Sequence, residues 1–168
     1  MTTASTFCGI CFISYDGGAN LTGLGDSKGN AIGTGPGKWQ QVAHDNGGGT
    51  AQWLDIYVIY GGVGGSGHTL SPTGTGTPYG VMYFLELTGY LASGSPFGTA
   101  VVGRPVGGSP NVIGTGTLAQ ADNLLLSTAS GDADGFSISP GTMIDSEIDR
   151  SNYWTIGLGS YAVNSTAN

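Results

Sequence analysis

Basic side chains are nearly missing from this chain. Lys28, Lys38, Arg104 and Arg150 stand alone against eleven Asp and Glu, giving a formal net charge of −7. Nucleic-acid binding needs clustered cations to replace phosphate counterions. Four scattered cations supply no such cluster, so DNA, RNA and anionic membranes are excluded as partners. Long apolar runs are missing too, since none approaches the roughly 18 residues of a membrane-spanning helix. Residues 1–5 (MTTAS) lack the basic region of a secretory signal. If the protein works outside a cell, the expected route is one not encoded here, such as assembly into a virus particle released by lysis. Cysteine is scarce, with only Cys8 and Cys11. Helix-compatible sequence is scarce as well. Only residues 140–150 (PGTMIDSEIDR) suit a helical turn, and a long acidic loop suits them equally.

What the chain does have is glycine, at 33 of 168 residues. The glycines show no collagen period and cluster as GGG, GG and GTG between apolar runs. Glycine supplies positive φ at turns and weakens helices. Hydrophobic residues make up 39% and charged residues 9%, too apolar and too weakly charged for a disordered chain. Short apolar runs recur at residues 6–15, 38–45, 52–60, 79–88, 99–106, 112–119, 123–130, 135–139 and 152–163. Residues 6–15 (TFCGICFISY) are apolar on both alternating faces, as a central strand is. Residues 52–60 (QWLDIYVIY) put Leu54, Ile56, Val58 and Tyr60 on one face and Trp53, Tyr57 and Ile59 on the other. The expectation is an all-β fold, an antiparallel, jelly-roll-like β-sandwich of about nine short strands with little or no helix. No linker is legible, so residues 1–168 read as a single domain.

Several motifs look like active sites and lack the context that chemistry needs. Cys8-Gly9-Ile10-Cys11 has redox spacing, but that chemistry puts the first thiol at a helix N-terminus. Here the pair lies in a β-patterned run, where residues three apart point to opposite faces and do not bridge. Zinc needs two further ligands, and His44 and His68 have no finger spacing. Gly25-Asp26-Ser27-Lys28-Gly29 matches a nucleophile elbow, with Asp55 and His68 following in hydrolase order. An elbow opens a helix, and the glycine-rich segment after Ser27 forms none. The simpler reading is a hairpin turn, with Asp26 capping it and Gly29 at positive φ. Gly62-Val63-Gly64-Gly65-Ser66-Gly67 matches a dinucleotide fingerprint, again with no helix to hold a pyrophosphate. Glu86 sits in an apolar strand, where a catalytic acid has no local partner and a bond to a turn backbone or a place near the sheet edge is the plainer role.

Two ligand classes remain. Asp132 and Asp134, with Asp145, Glu147 and Asp149, form an acidic stretch that a loop calcium would suit. The EF-hand pattern is absent, because Met143 stands where its glutamate belongs, and a solvated acidic loop is preferred. No cofactor or metal is therefore expected. Trp39, Trp53, Tyr57 and Tyr153 are the candidates for stacking on sugars, although core or subunit interface accounts for the same rings.

Five segments carry a resemblance: Ile13-Ser14-Tyr15, Asp26-Ser27-Lys28-Gly29-Asn30, Leu54-Asp55-Ile56-Tyr57-Val58, Leu85-Glu86-Leu87-Thr88-Gly89 and Leu118-Ala119-Gln120-Ala121-Asp122-Asn123-Leu124. In this order they resemble a glycine-rich β-sandwich domain of phage structural proteins and of bacterial surface or secreted proteins. The resemblance implies a sandwich displayed on a particle or cell surface and carries no catalytic residues. Residues 31–38 look like an insertion relative to it. Such domains close with a further apolar strand, which leaves two alternatives: a neighbouring chain completes the sandwich, or the last strand falls before residues 152–163. The expected function is a non-catalytic virion-surface subunit: a capsid decoration, head fibre or tail-surface protein, homo-oligomeric and packed on other virion proteins. The alternative is a carbohydrate-binding or adhesin module working on a virion or outside a cell.

Overall fold

The computed structural model describes residues 1–16, 20–45, 52–75, 80–88, 96–98, 123–131, 142–149 and 154–163. Within them every regular element is a strand and there is no helix. The strands are β1 (Thr6–Asp16), β2 (Asn20–Asp26), β3 (Gln40–Asp45), β4 (Gln52–Val63), β5 (Leu70–Thr75), β6 (Gly80–Leu87), β7 (Asn123–Gly131), β8 (Thr142–Asp149) and β9 (Trp154–Val163). The chain divides into two compact units, Met1–Pro78 with Met82–Thr99, and Tyr79–Val81 with Ala100–Asn168.

The first unit contains a four-stranded sheet in the order β3-β4-β1-β6 and a two-stranded sheet of β2 and β5. β1 pairs antiparallel with β4, as β3 does with β4 and β2 with β5. The central place of β1 follows from its sequence. Cys11, Ile13 and Tyr15 on one face and Ile10, Phe12 and Ser14 on the other are all buried. One core gathers Phe7, Cys11, Ile13 and Tyr15 from β1, Tyr57 and Ile59 from β4, Leu24 from β2, and Trp39. Leu21, Trp53, Leu70 and Phe84 pack against it. Side chains of both sheets thus meet in one apolar interior. Phe7 is its hub, with ring centroids 6.0 Å from Trp39, 6.0 Å from Phe84 and 5.1 Å from His68. Burying each such ring contributes about 2 kcal/mol or more.

The second unit holds a three-stranded antiparallel sheet in the order β7-β9-β8. Leu158 is buried at the middle of β9, the central strand.

Three strands depart from the sequence expectation. Within the segment expected as a helical turn or a loop, residues 142–149 form a strand instead, because β8 spans Thr142–Asp149 and pairs with β9. Cross-strand pairing outweighs the poor strand propensity of its acidic residues. β2 (NLTGLGD) and β5 (LSPTGT) are too poor in apolar residues to read as strands. Pro72 is tolerated in β5 because, among the described residues, β5 pairs with β2 alone and leaves an edge where the missing N–H goes unused. The expected strands at 99–106, 112–119 and 135–139 lie outside the described residues.

Candidate functional site

Two buried aspartates organise the polar chemistry of the first unit, and they do so differently. Asp26 ends β2. Its Oδ1 accepts the Lys28 backbone N–H at 2.7 Å, and its Oδ2 accepts Asn30 Nδ2 at 2.8 Å and Trp39 Nε1 at 2.7 Å. His68 Nε2 approaches Oδ1 to 2.9 Å, a close contact without hydrogen-bond alignment. Burial alone would push this carboxyl upward. The bonds from Trp39, Asn30 and the Lys28 backbone, with His68 beside them, outweigh it and hold Asp26 below the ordinary carboxylate range.

The same knot reaches further. Asn30 pairs with Val63 in both directions at 2.8 Å, as a backbone amide would, and so extends the end of β4. Thr3 Oγ1 lies 3.0 Å from His68 Nδ1 and accepts the Gly65 N–H at 3.0 Å. Thr3, Asn30, Trp39 and His68 are all buried. The knot therefore ties the chain start, the turn after β2 and the β4–β5 connection into one interior. This explains two of the misleading motifs. Asp26 caps its turn and Gly29 has φ +81°, as expected, but the turn is not a hairpin. β2 pairs instead with β5, after an excursion through β3 and β4. Ser27 exchanges two bonds with Thr69, N to O at 3.0 Å and Oγ from N at 2.9 Å. In the glycine motif, a Cβ on Gly64 would fall 2.1 Å from Ala4 O and 2.3 Å from Thr3 Oγ1, so close backbone approach explains that glycine.

Asp55, in the middle of β4, builds the second cluster. Its Oδ2 accepts the Tyr15 hydroxyl at 2.9 Å. Its Oδ1 accepts Gln41 Nε2 at 2.7 Å and lies 2.6 Å from His44 Nδ1. Asp55 is fully buried, whereas the His44 side chain is 44% exposed and Gln41 is exposed. Trp53, half-buried, sits with its ring 5.4 Å from His44 at 72° and 5.8 Å from Tyr15. Burial and the bond to Asp55 push the Tyr15 hydroxyl strongly up. Burial, with the Asp55 and Cys11 charges behind it, pushes Tyr57 up to about 12.

The expected residues are thus sorted. Trp53 is at the surface cluster. Trp39 and Tyr57 are core residues, 0% and 2% exposed, and offer no open ring to a sugar. Tyr153, Asp132 and Asp134 lie outside the described residues. Asp55 and His68 do not come together in a triad, since Asp55 holds His44 while His68 faces Asp26 and Thr3. Cys8 and Cys11 are free, buried thiols, and burial raises them to about 11 and about 12. Glu86, exposed on β6, accepts the Ala4 backbone N–H at 2.8 Å, the backbone role anticipated for it. Gln41 and the pairing of His44 with Asp55 were not anticipated. One signal pointed there: Asp55 shares a strand face with Trp53 and Tyr57, and a carboxylate on an apolar face requires donors.

Comparisons with protein-family models, with curated proteins and with solved structures find no match for this chain.

Proposed function

We propose that this chain is a non-catalytic structural subunit of a surface assembly, a virion surface in the first instance, folded as a jelly-roll-like β-sandwich. One observation carries the reading: the polar chemistry around Asp26 is consumed internally. Asn30, Trp39 and His68 are turned inward to hold loops together. A knot of this kind gives rigidity, which a packed subunit needs, and keeps its polar side chains in the interior. Among the described strands the sheet edges are β3 and β6, β2 and β5, and β7 and β8. Edges of this kind are where a neighbouring copy or another virion protein packs. Light scattering on the purified protein, with a particle-binding assay, tests the reading. A homo-oligomer or a particle-bound species is the expected outcome. A protein that stays monomeric and binds no particle overturns it.

A second reading, an adhesin module that contacts glycans, is favoured by the exposed side chains around Asp55. Gln41 and His44 stand at the surface beside Trp53, the mix of polar groups and aromatic ring that sugars bind. The two readings are compatible, because surface subunits of particles also adhere. A glycan array tests the second, and the absence of any bound glycan removes it.

A further inference from the structure

We infer that Gln41, His44 and Trp53 form a subsite for a neutral pyranose, with Asp55 as the residue that positions it. The inference rests on the glycan-contact reading and gives it residues and a ligand class.

The two aspartates differ in what surrounds their donors. Every side chain that bonds Asp26 is itself buried. Asp55 is just as buried, yet two of its three donors reach in from the surface. Fixing an exposed glutamine in one pose costs rotamer freedom that a surface side chain otherwise keeps. Tyr15 serves Oδ2, and Oδ1 takes its donors from these two surface residues. The same bonds hold two exposed polar groups still.

The backbone supports the same conclusion. Gln41 and His44 are three apart on β3, and in a regular strand they would point to opposite faces. The pairing with β4 shifts register between Gln41 and Ala43. Gln41 therefore pairs with Tyr57 and His44 with Asp55, two residues apart on one face of β4. The irregularity brings both side chains to the same carboxylate. Bulges that re-aim a side chain in this way are concentrated at edges and binding sites, and among the described strands β3 is an edge strand.

The ligand class follows from the atoms left over. Gln41 spends Nε2 on Asp55, which leaves its carbonyl oxygen as an acceptor. A carboxylate only accepts, so His44 donates from Nδ1, and in the neutral form of the ring Nε2 is an acceptor. Two fixed acceptors read two hydroxyl donors. The half-buried Trp53 indole, at 72° to the imidazole, is the apolar ring beside these two groups, against which a pyranose C–H face would stack. An acidic sugar would bring a carboxylate or sulfate to two acceptors, beside Asp55, on a chain of net charge −7. A neutral sugar meets no such repulsion.

The test uses methyl glucopyranoside, methyl galactopyranoside, methyl mannopyranoside and glucuronic acid as probes. Binding is followed by saturation-transfer NMR and by indole fluorescence. At least one neutral glycoside is expected to bind and glucuronic acid is not. Gln41→Ala and His44→Ala, both at the surface, are expected to weaken binding by about tenfold each while the fold stays intact by circular dichroism. Trp53→Ala is expected to abolish it. Asp55→Asn is expected to weaken binding although Asp55 touches no sugar. Preference for glucuronic acid overturns the ligand class. Binding that survives Gln41→Ala and His44→Ala unchanged overturns the subsite and leaves glycan contact standing. No binding to any of these probes, with a blank glycan array, overturns both.

Discussion

The indole N–H of Trp39 donates to Asp26 Oδ2 at 2.7 Å, and both side chains are closed to solvent. A tryptophan that supplies apolar bulk to the core also satisfies the buried charge beside it. The two residues are 13 apart in sequence, and the segment between them carries Lys28 and Asn30 to the same carboxylate. Removing the carboxylate orphans several donors at once. Asp26→Ala is expected to lower the free energy of unfolding by about 3 kcal/mol or more. Urea denaturation measures it, and a loss within about 0.5 kcal/mol, the size of an ordinary surface change, would contradict the knot.

Acid acts on the same group. The Asp26 carboxyl titrates below its ordinary range in the folded chain, because its hydrogen bonds outweigh its burial. Its contribution to stability is therefore complete above the unfolded-state pKa of about 3.9 and is lost as pH falls through the lower folded value. Unfolding free energy measured between about pH 5 and pH 2 is expected to drop more steeply in the parent chain than in Asp26→Asn. Parallel profiles for the two proteins would remove Asp26 from the acid limb.

Gly64 tests the attachment of the chain start. A methyl group there meets Ala4 O and Thr3 Oγ1, at 2.1 and 2.3 Å, and one of these is backbone that cannot swing aside. Gly64→Ala is expected to cost about 3 kcal/mol and to expose the amide of Gly65, which now bonds Thr3 Oγ1. Gly29 is the control: its φ of +81° is strained for alanine, but nothing lies within 4 Å of an added Cβ. Gly29→Ala is expected to cost about 1 kcal/mol and to leave Gly65 protected from hydrogen exchange. Equal effects at the two positions would mean that the close approach is unimportant.

The strand class was legible wherever a run carried its own apolar pattern. β1 and β4 show it plainly, since Phe12, Ile13, Tyr57 and Ile59 alternate and are buried. β2, β5 and β8 were illegible because partners define them: Leu24 pairs with Pro72, and Glu147 with Ile156. The motif residues misled for a related reason. Ser27 and Gly64 match local patterns, while their roles depend on Thr69 and Thr3, far away in sequence. Trp39 and Tyr57 could not be sorted from Trp53 by sequence, because exposure is a property of the packed fold. The meeting of Gln41 and His44 was hidden most completely. It depends on a register shift that no side-chain pattern records.

The cysteines offer a chemical check on the core. Burial raises Cys8 to about 11 and Cys11 to about 12. At pH 8 the thiolate, the reactive form, is then on the order of a thousandth of the Cys8 population or less. A disulfide reagent such as DTNB is expected to label neither thiol in the native protein and both after denaturation. Rapid labelling of the folded chain would show that β1 opens readily.

Tyr15 and Gln41 bond the same carboxylate from opposite surroundings, one from the core and one from the surface. Tyr15→Phe keeps the ring and removes only the hydroxyl. Asp55 Oδ2 then loses its donor in a place closed to water, and the expected cost is about 1.5–3 kcal/mol. Gln41→Ala opens the other oxygen toward solvent, where water replaces the amide, and the expected cost is below about 1 kcal/mol. Chemical denaturation of the two variants compares them directly. A large loss for Gln41→Ala would make the glutamine a structural clamp and would remove the reason for reading it as a contact residue. A small one leaves its fixed position at the surface without a structural purpose, which is what a residue held for a ligand requires.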